Sequence, residues 1–126
     1  LMLSTLIEAG ITPVMAPLTH DGQGNILNTN ADTIAAETAK ALAPYYDVTL
    51  TFCFEKKGVL SNPDDDDSVI PVITRDDFNR YVADGTIAGG MIPKIENALD
   101  AIHAGVKRVI ITKADALGEN AGTVII

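Results

Sequence analysis

Two short runs, residues 48–54 (VTLTFCF) and 106–112 (VKRVIIT), limit what this chain can fold into more than any other feature. Each is rich in β-branched or aromatic residues, is shorter than an average helix, and is bounded by turn-forming or charged residues, which marks a buried strand. The segments around them repeat with a different period. In 31–42, Ile34, Ala35, Thr38, Ala39 and Leu42 fall on one helical face, and in 92–105 Ile95, Ala98, Leu99 and Ile102 do the same. Strands alternating with helices predict an α/β three-layer sandwich with a mainly parallel central sheet and helices on both faces. At 126 residues the chain has room for one such core and not for two ordinary domains.

The remaining elements follow from local signals. Residues 1–9 carry apolar side chains at helical spacing and end at Gly10, a common helix stop. The chain opens on Leu1 directly inside that pattern, so further residues are expected upstream. Residues 11–18 (ITPVMAPL) predict a strand. Asp21-Gly22 and Gly24-Asn25 then predict turns before Ile26-Leu27, giving a hairpin-like excursion. The run 61–68 (SNPDDDDS) cannot bury itself and predicts a solvated loop. Residues 69–73 read as extended. A helix starts at Thr74 or Arg75 with Asp76 and Asp77 in its first turn, presents Phe78, Tyr81 and Val82, and stops at Gly85. Residues 122–126 form a last strand.

Charge and residue usage remove several function classes. A formal net charge of −8 argues against nucleic-acid partners, because affinity for a phosphate backbone needs clustered Lys and Arg. Cys53 is the only cysteine, so no intrachain disulfide forms; it reads as a small core residue in a reducing, cytoplasmic protein. No run reaches the roughly 18 apolar residues of a membrane helix. No Gly-x-x-x-x-Gly-Lys-[Ser/Thr] occurs, which excludes a P-loop enzyme. His20 and His103 stand far apart without a Cys or carboxylate pattern, so no zinc site or Ser-His-Asp triad is indicated, and Asp64 to Asp67 lack the ligand spacing of an EF-hand. No protein metal site is expected.

Two motifs carry chemistry. Asn28-Thr29-Asn30-Ala31-Asp32 places two amides and a carboxylate at alternating positions before a helix. One reading is a helix cap, worth ~1 kcal/mol; the other is a polar cluster that holds a small substrate, since a cap needs only one such residue. Gly89-Gly90-Met91-Ile92-Pro93-Lys94 is a glycine-rich turn that delivers a lysine into a helix's first turn. A solvated lysine is the plain alternative, but a cation there opposes the helix macrodipole unless an anion lies between them, and a phosphate is such an anion. Glu55-Lys56-Lys57-Gly58-Val59-Leu60, after the first strong strand, forms a loop able to meet a nucleotide. All three segments occupy the class of position where open α/β sheets bind ligands.

The residues Ile11-Thr12-Pro13-Val14, Asp21-Gly22-Gln23-Gly24, Asn28 to Asp32 and Gly90-Met91-Ile92-Pro93-Lys94-Ile95-Glu96-Asn97-Ala98 resemble, in register, the acetylglutamate kinase branch of the amino acid kinase family. That resemblance implies ATP-dependent phosphorylation, with Mg2+ held mainly by the nucleotide, of the side-chain carboxylate of an N-acyl-L-glutamate in arginine biosynthesis. It implies that Asn28 and Asn30 bind the substrate, that Asp32 organises catalytic lysines, and that Lys94 stabilises the transition state. Glu55, Lys56, Lys57, Gly58, Val59 and Leu60, with Thr86, Ile87, Ala88, Gly89 and Gly90, would line the nucleotide. The match covers the family's C-terminal, ATP-binding half, with residues 11–32 bordering the acylglutamate site. The N-terminal half, with its phosphate loops, a second lysine and an arginine, has no counterpart, so the chain alone is not expected to be a competent kinase. A homodimer or larger assembly is implied for the complete enzyme. Glu55 followed by two lysines, where relatives commonly have Asp, and the short 113–120 tail depart from the pattern.

Overall fold

In the computed structural model, which describes residues 2–126, the elements run α1 (Met2–Glu8), β1 (Leu18–His20), β2 (Ile26–Asn28), α2 (Ala31–Leu42), β3 (Thr49–Phe54), β4 (Val72–Ile73), α3 (Arg75–Ala83), α4 (Met91–His103), β5 (Arg108–Lys113), a 3₁₀ turn (Ala114–Ala116) and β6 (Thr123–Ile125). The two strong runs become neighbours. β3 pairs in parallel with β5, Leu50 opposite Val109 and Phe52 opposite Ile111. The four-stranded order is β3-β5-β6-β4, with β4 and β6 parallel and β5 and β6 antiparallel, while β1 and β2 form a separate antiparallel hairpin. This is the expected α/β arrangement with a mixed, mostly parallel sheet.

Period-two burial shows how the sheet is used. Leu50, Phe52, Val109, Ile111, Ile125 and Ile73 are buried and point to one side, where α2, α3 and α4 pack on the sheet and on one another. Helix α4 covers the centre of that face through Ile95, Ala98, Leu99 and Ala101; Ala98 and Ala101 are fully buried, and their small side chains bring the helix close to the strands. On the reverse side Thr49, Cys53 and Arg108 are exposed and Thr51, Ile110 and Val124 half-buried, so a second helical layer is not drawn from α2, α3 or α4. Cys53 is therefore an exposed free thiol and not a core residue: alternation sends Phe52 and Phe54 inward and Cys53 outward.

Three other expectations change. Residues 11–17 form no strand, because Pro13 and Pro17 lack the N–H that a ladder needs; the strand begins at Leu18. In α2 the fully buried residues are Ala36 and Ala39, while Ile34, Ala35, Thr38 and Leu42 are half-buried and line an apolar groove of about 360 Å³ with Pro13, Met15 and Pro17. In α4, Ile102 is half-buried and Ala101 takes the core position. The loop 61–68 is solvated as expected and closes on itself at the Leu60–Val69 bridge. No helix among the described residues is long and apolar enough to cross a membrane.

Candidate active site

The first turns of α2 and α4 meet beside the carboxyl end of β3, whose last residue is Phe54. Asp32, in the first turn of α2, and Lys94, in the first turn of α4, meet there across 62 residues of sequence: Lys94 Nζ donates to Asp32 Oδ2 at 2.7 Å. The lysine side chain is only 15% exposed and the aspartate 36%. Beneath the ammonium lie the rings of Phe52 and Phe54, their centroids at 4.9 and 6.0 Å. Aromatic faces attract a cation, so one carboxylate and two rings hold Lys94 in place.

The structure divides the Asn-x-Asn-Ala-Asp cluster. Asn30 is the N-cap of α2, its Oδ1 accepting from the N–H groups of Asp32 at 2.8 Å and Thr33 at 3.3 Å. That leaves its amide N–H₂ and the whole exposed side chain of Asn28, at the end of β2, facing outward near the same helix start. The hairpin that presents them is tied by Asp21, whose carboxylate accepts from Asn25 Nδ2 at 2.6 Å and from the N–H of Gln23 at 2.7 Å. Those bonds hold Asp21 below the usual carboxylate range.

Beside the ion pair lies a cavity of about 300 Å³ between the loop after β3 and the loop before α4. Of the residues expected at the nucleotide, Glu55, Lys56, Gly58, Val59, Leu60, Thr86, Ile87 and Ala88 line it, whereas Lys57, Gly89 and Gly90 do not. Phe54, Pro63, Gly85 and Met91 also line it and were not anticipated. Alternation in VTLTFCF would have paired Phe54 with Phe52, and Met91 lies within the Gly89–Lys94 motif without having been assigned a role. The far loop is anchored by Ile87, which is 2% exposed, and by Asp84, whose carboxyl is lowered by the Thr86 hydroxyl and then by the Thr86 N–H that it accepts at 2.9 Å. Lys56 pairs with Asp66 of the acidic loop at 3.2 Å.

The start of α4 has no side-chain cap, and Pro93 has no N–H to satisfy. Gly90 sits at φ −66°, which any residue adopts, and a Cβ there would meet nothing within 4 Å. Neither backbone nor packing asks for glycine at this position, whereas the approach of a ligand to the backbone would. An uncapped helix N-terminus, a held ammonium and a neighbouring cavity together can take a phosphorylated ligand and neutralise charge on it. Among the described residues no group of three or more His, Cys, Asp or Glu is placed to hold a metal ion.

The fold is of the α/β type with a mixed, mostly parallel sheet, and comparison with known proteins gives it a family. The amino acid kinase family model matches residues 2–113, and the chain belongs to that family. It is 67% identical to an acetylglutamate kinase of Bacteroides thetaiotaomicron over 122 residues, 97% of this chain and 48% of that protein. It is 54% identical to an acetylglutamate kinase of Cytophaga hutchinsonii over 90% of this chain and 43% of that one. The chain thus spans about half the length of the curated relatives it matches. Among solved structures, smu.665 of Streptococcus mutans superposes with a TM-score of 0.79 at 35% identity, covering 98% of this chain and 46% of that one. A Giardia lamblia carbamate kinase bound to AMP-PNP shares the fold, with a TM-score of 0.68 at 24% identity over 99% of this chain and 48% of that one.

Proposed function

We propose that this chain is the C-terminal, ATP-binding half of an acetylglutamate kinase, which in its complete form converts ATP and N-acetyl-L-glutamate, or another N-acylglutamate, to ADP and the 5-phosphate, a step of arginine biosynthesis. The observation that carries the reading is the joining of two features at one residue. Phe54 lines the cavity and also lies under Lys94, so the lysine stands at the cavity's edge. The apolar wall of Val59, Leu60 and Ile87 suits a nucleobase, and the uncapped start of α4 suits its phosphates.

In this reading ATP, with Mg2+ on its phosphates, supplies the γ-phosphoryl group. A side-chain carboxylate oxygen of the acylglutamate forms a bond to the γ-phosphorus while the bond to the β,γ-bridging oxygen breaks, and ADP leaves. Lys94 neutralises charge on the transferred oxygens. Asp32 keeps that ammonium aimed. Asn28 and the free amide of Asn30 hydrogen-bond the acceptor substrate from the hairpin side. Acceptor chemistry and the arginine pathway rest on likeness to acetylglutamate kinases.

The test is ADP release by this chain alone and mixed with the N-terminal half of an acetylglutamate kinase. No turnover is expected from the chain alone, and turnover dependent on both N-acetyl-L-glutamate and ATP in the mixture. Activity in the isolated chain contradicts its being half a site. Silence after mixing, with the fold intact by circular dichroism, favours a noncatalytic nucleotide-binding module.

A further inference from the structure

We infer that Thr123, a β6 residue outside every motif named above, is a positioning residue that sets one wall of the nucleotide cavity. The inference rests on the kinase reading of that cavity. Thr123 is fully buried, and its hydroxyl is used twice: Oγ1 donates to the carbonyl of Ile70 at 2.6 Å and accepts from the N–H of Val59 at 2.9 Å. Those partners lie 53 and 64 residues away in sequence. A valine would fill the same volume, and a buried hydroxyl is costly unless bonded, so the oxygen contributes something packing does not require.

What it contributes is the placement of Gly58, Val59 and Leu60, which line the cavity. This segment belongs to no helix or sheet strand. It is held to its return by the Ile70 N–H donating to the Val59 carbonyl at 2.8 Å and by the Leu60–Val69 bridge, and it is held to the sheet by Thr123. Gly58 belongs to the same arrangement: a Cβ there would stand 2.8 Å from Thr123 Oγ1 and 2.8 Å from Val69 Cγ1, so only glycine lets the wall approach β6 this closely. The opposite side of the site, Asn28, Asp32 and Lys94, is carried by β2, α2 and α4, whereas the Thr123 hydroxyl bonds to Val59 and Ile70. Releasing the wall therefore affects the nucleotide and spares the acceptor substrate.

The experiment measures kcat and both KM values in the full-length kinase that contains this chain. Thr123→Val, which leaves the Val59 N–H and the Ile70 carbonyl without that oxygen, is expected to raise KM for ATP about fivefold to thirtyfold. KM for N-acetyl-L-glutamate and kcat at saturating ATP stay within about twofold, and Thr123→Ser, which keeps the hydroxyl, stays close to the parent. An unchanged ATP KM in Thr123→Val, or a parallel loss in every parameter, overturns the assignment. Should that variant not fold, Gly58→Ala, which presses on the same oxygen from the other side, is read by the same criteria. Ala88→Trp, which fills the exposed mouth of the cavity, separates the two failures. If it leaves ATP KM unchanged, the cavity reading falls and this inference with it; if it raises ATP KM while Thr123→Val does not, only the role of Thr123 falls.

Discussion

Lys94 shows how one side chain can be constrained from several directions at once. Its carboxylate partner comes from α2, its aromatic floor from β3 and its backbone from α4, so removing any one leaves the ammonium to the other two. In the complete enzyme Lys94→Ala should lower kcat by about 10² to 10³, the scale on which a single transition-state charge donor acts. Asp32→Asn keeps the shape but weakens the hold, and a smaller drop in kcat is expected. Lys94→Ala removes a side chain that is only 15% exposed and packed on two rings, so some loss of stability accompanies the drop in kcat, while Asp32→Asn, at the more exposed partner, should cost less. Steady-state kinetics beside thermal melts of the same variants check both statements; near-normal turnover in Lys94→Ala would remove the site proposal.

At the scale of the element, α3 is the clearest case of a helix specified at its start. Thr74 Oγ1 accepts from the Asp77 N–H at 3.2 Å, and Asp77 Oδ2 accepts from the Thr74 N–H at 3.1 Å, a capping box. The backbone bond from Thr74, then its side-chain bond and the Arg80 guanidinium, hold the Asp77 carboxyl below its usual 3.8. A lowered folded value means that this contribution is complete above pH 3.8 and is lost as pH falls through the lower folded value. Asp77→Asn should therefore melt below the parent at neutral pH, and the gap should narrow in acid below that range. A gap that is constant across the titration would show that the carboxylate charge contributes nothing. The hairpin obeys the same logic through Asp21, which the Asn25 amide and Gln23 N–H lower in the same direction.

For the molecule as a whole, the helical face of the sheet is the only region where strands and helices close a continuous core among the described residues. Ile111 sits at its centre, fully buried on β5, with Phe52 opposite in the parallel partner and Thr123 opposite in the antiparallel one. Ile111→Ala should cost about 2–5 kcal/mol, the range for truncating a buried isoleucine, as measured by urea unfolding. A loss under about 1 kcal/mol would mean that the core relaxes around the change. The reverse face of the sheet and the groove beside α2 contribute less, because their apolar residues remain half-exposed.

The alternation of strand and helix, the helix 31–42 to the residue, the turn at Asp21 to Asn25 and the solvated 61–68 loop were all legible in the order of residues, because period and turn chemistry act over a few neighbours. Lys94 and Asp32 stand out in the order of residues as chemistry out of place, a cation at a helix start and polar groups beyond what one cap needs, and their part in catalysis is a proposal. Sequence could not decide their distance, because a 2.7 Å contact across 62 residues depends on how two helices return over adjacent strands. The outward Cys53 was open to reading from the alternation of VTLTFCF, but sequence could not decide that Ala36 and not Ile34 is the buried residue of α2, or that Phe54 belongs at once to the cavity and to the lysine. Thr123 is the extreme instance, an ordinary strand residue in the sequence and the link between two cavity-forming segments in the fold. Local pattern determines which elements form and what chemistry they carry; only their packing decides which side of each element is covered, and so which groups meet.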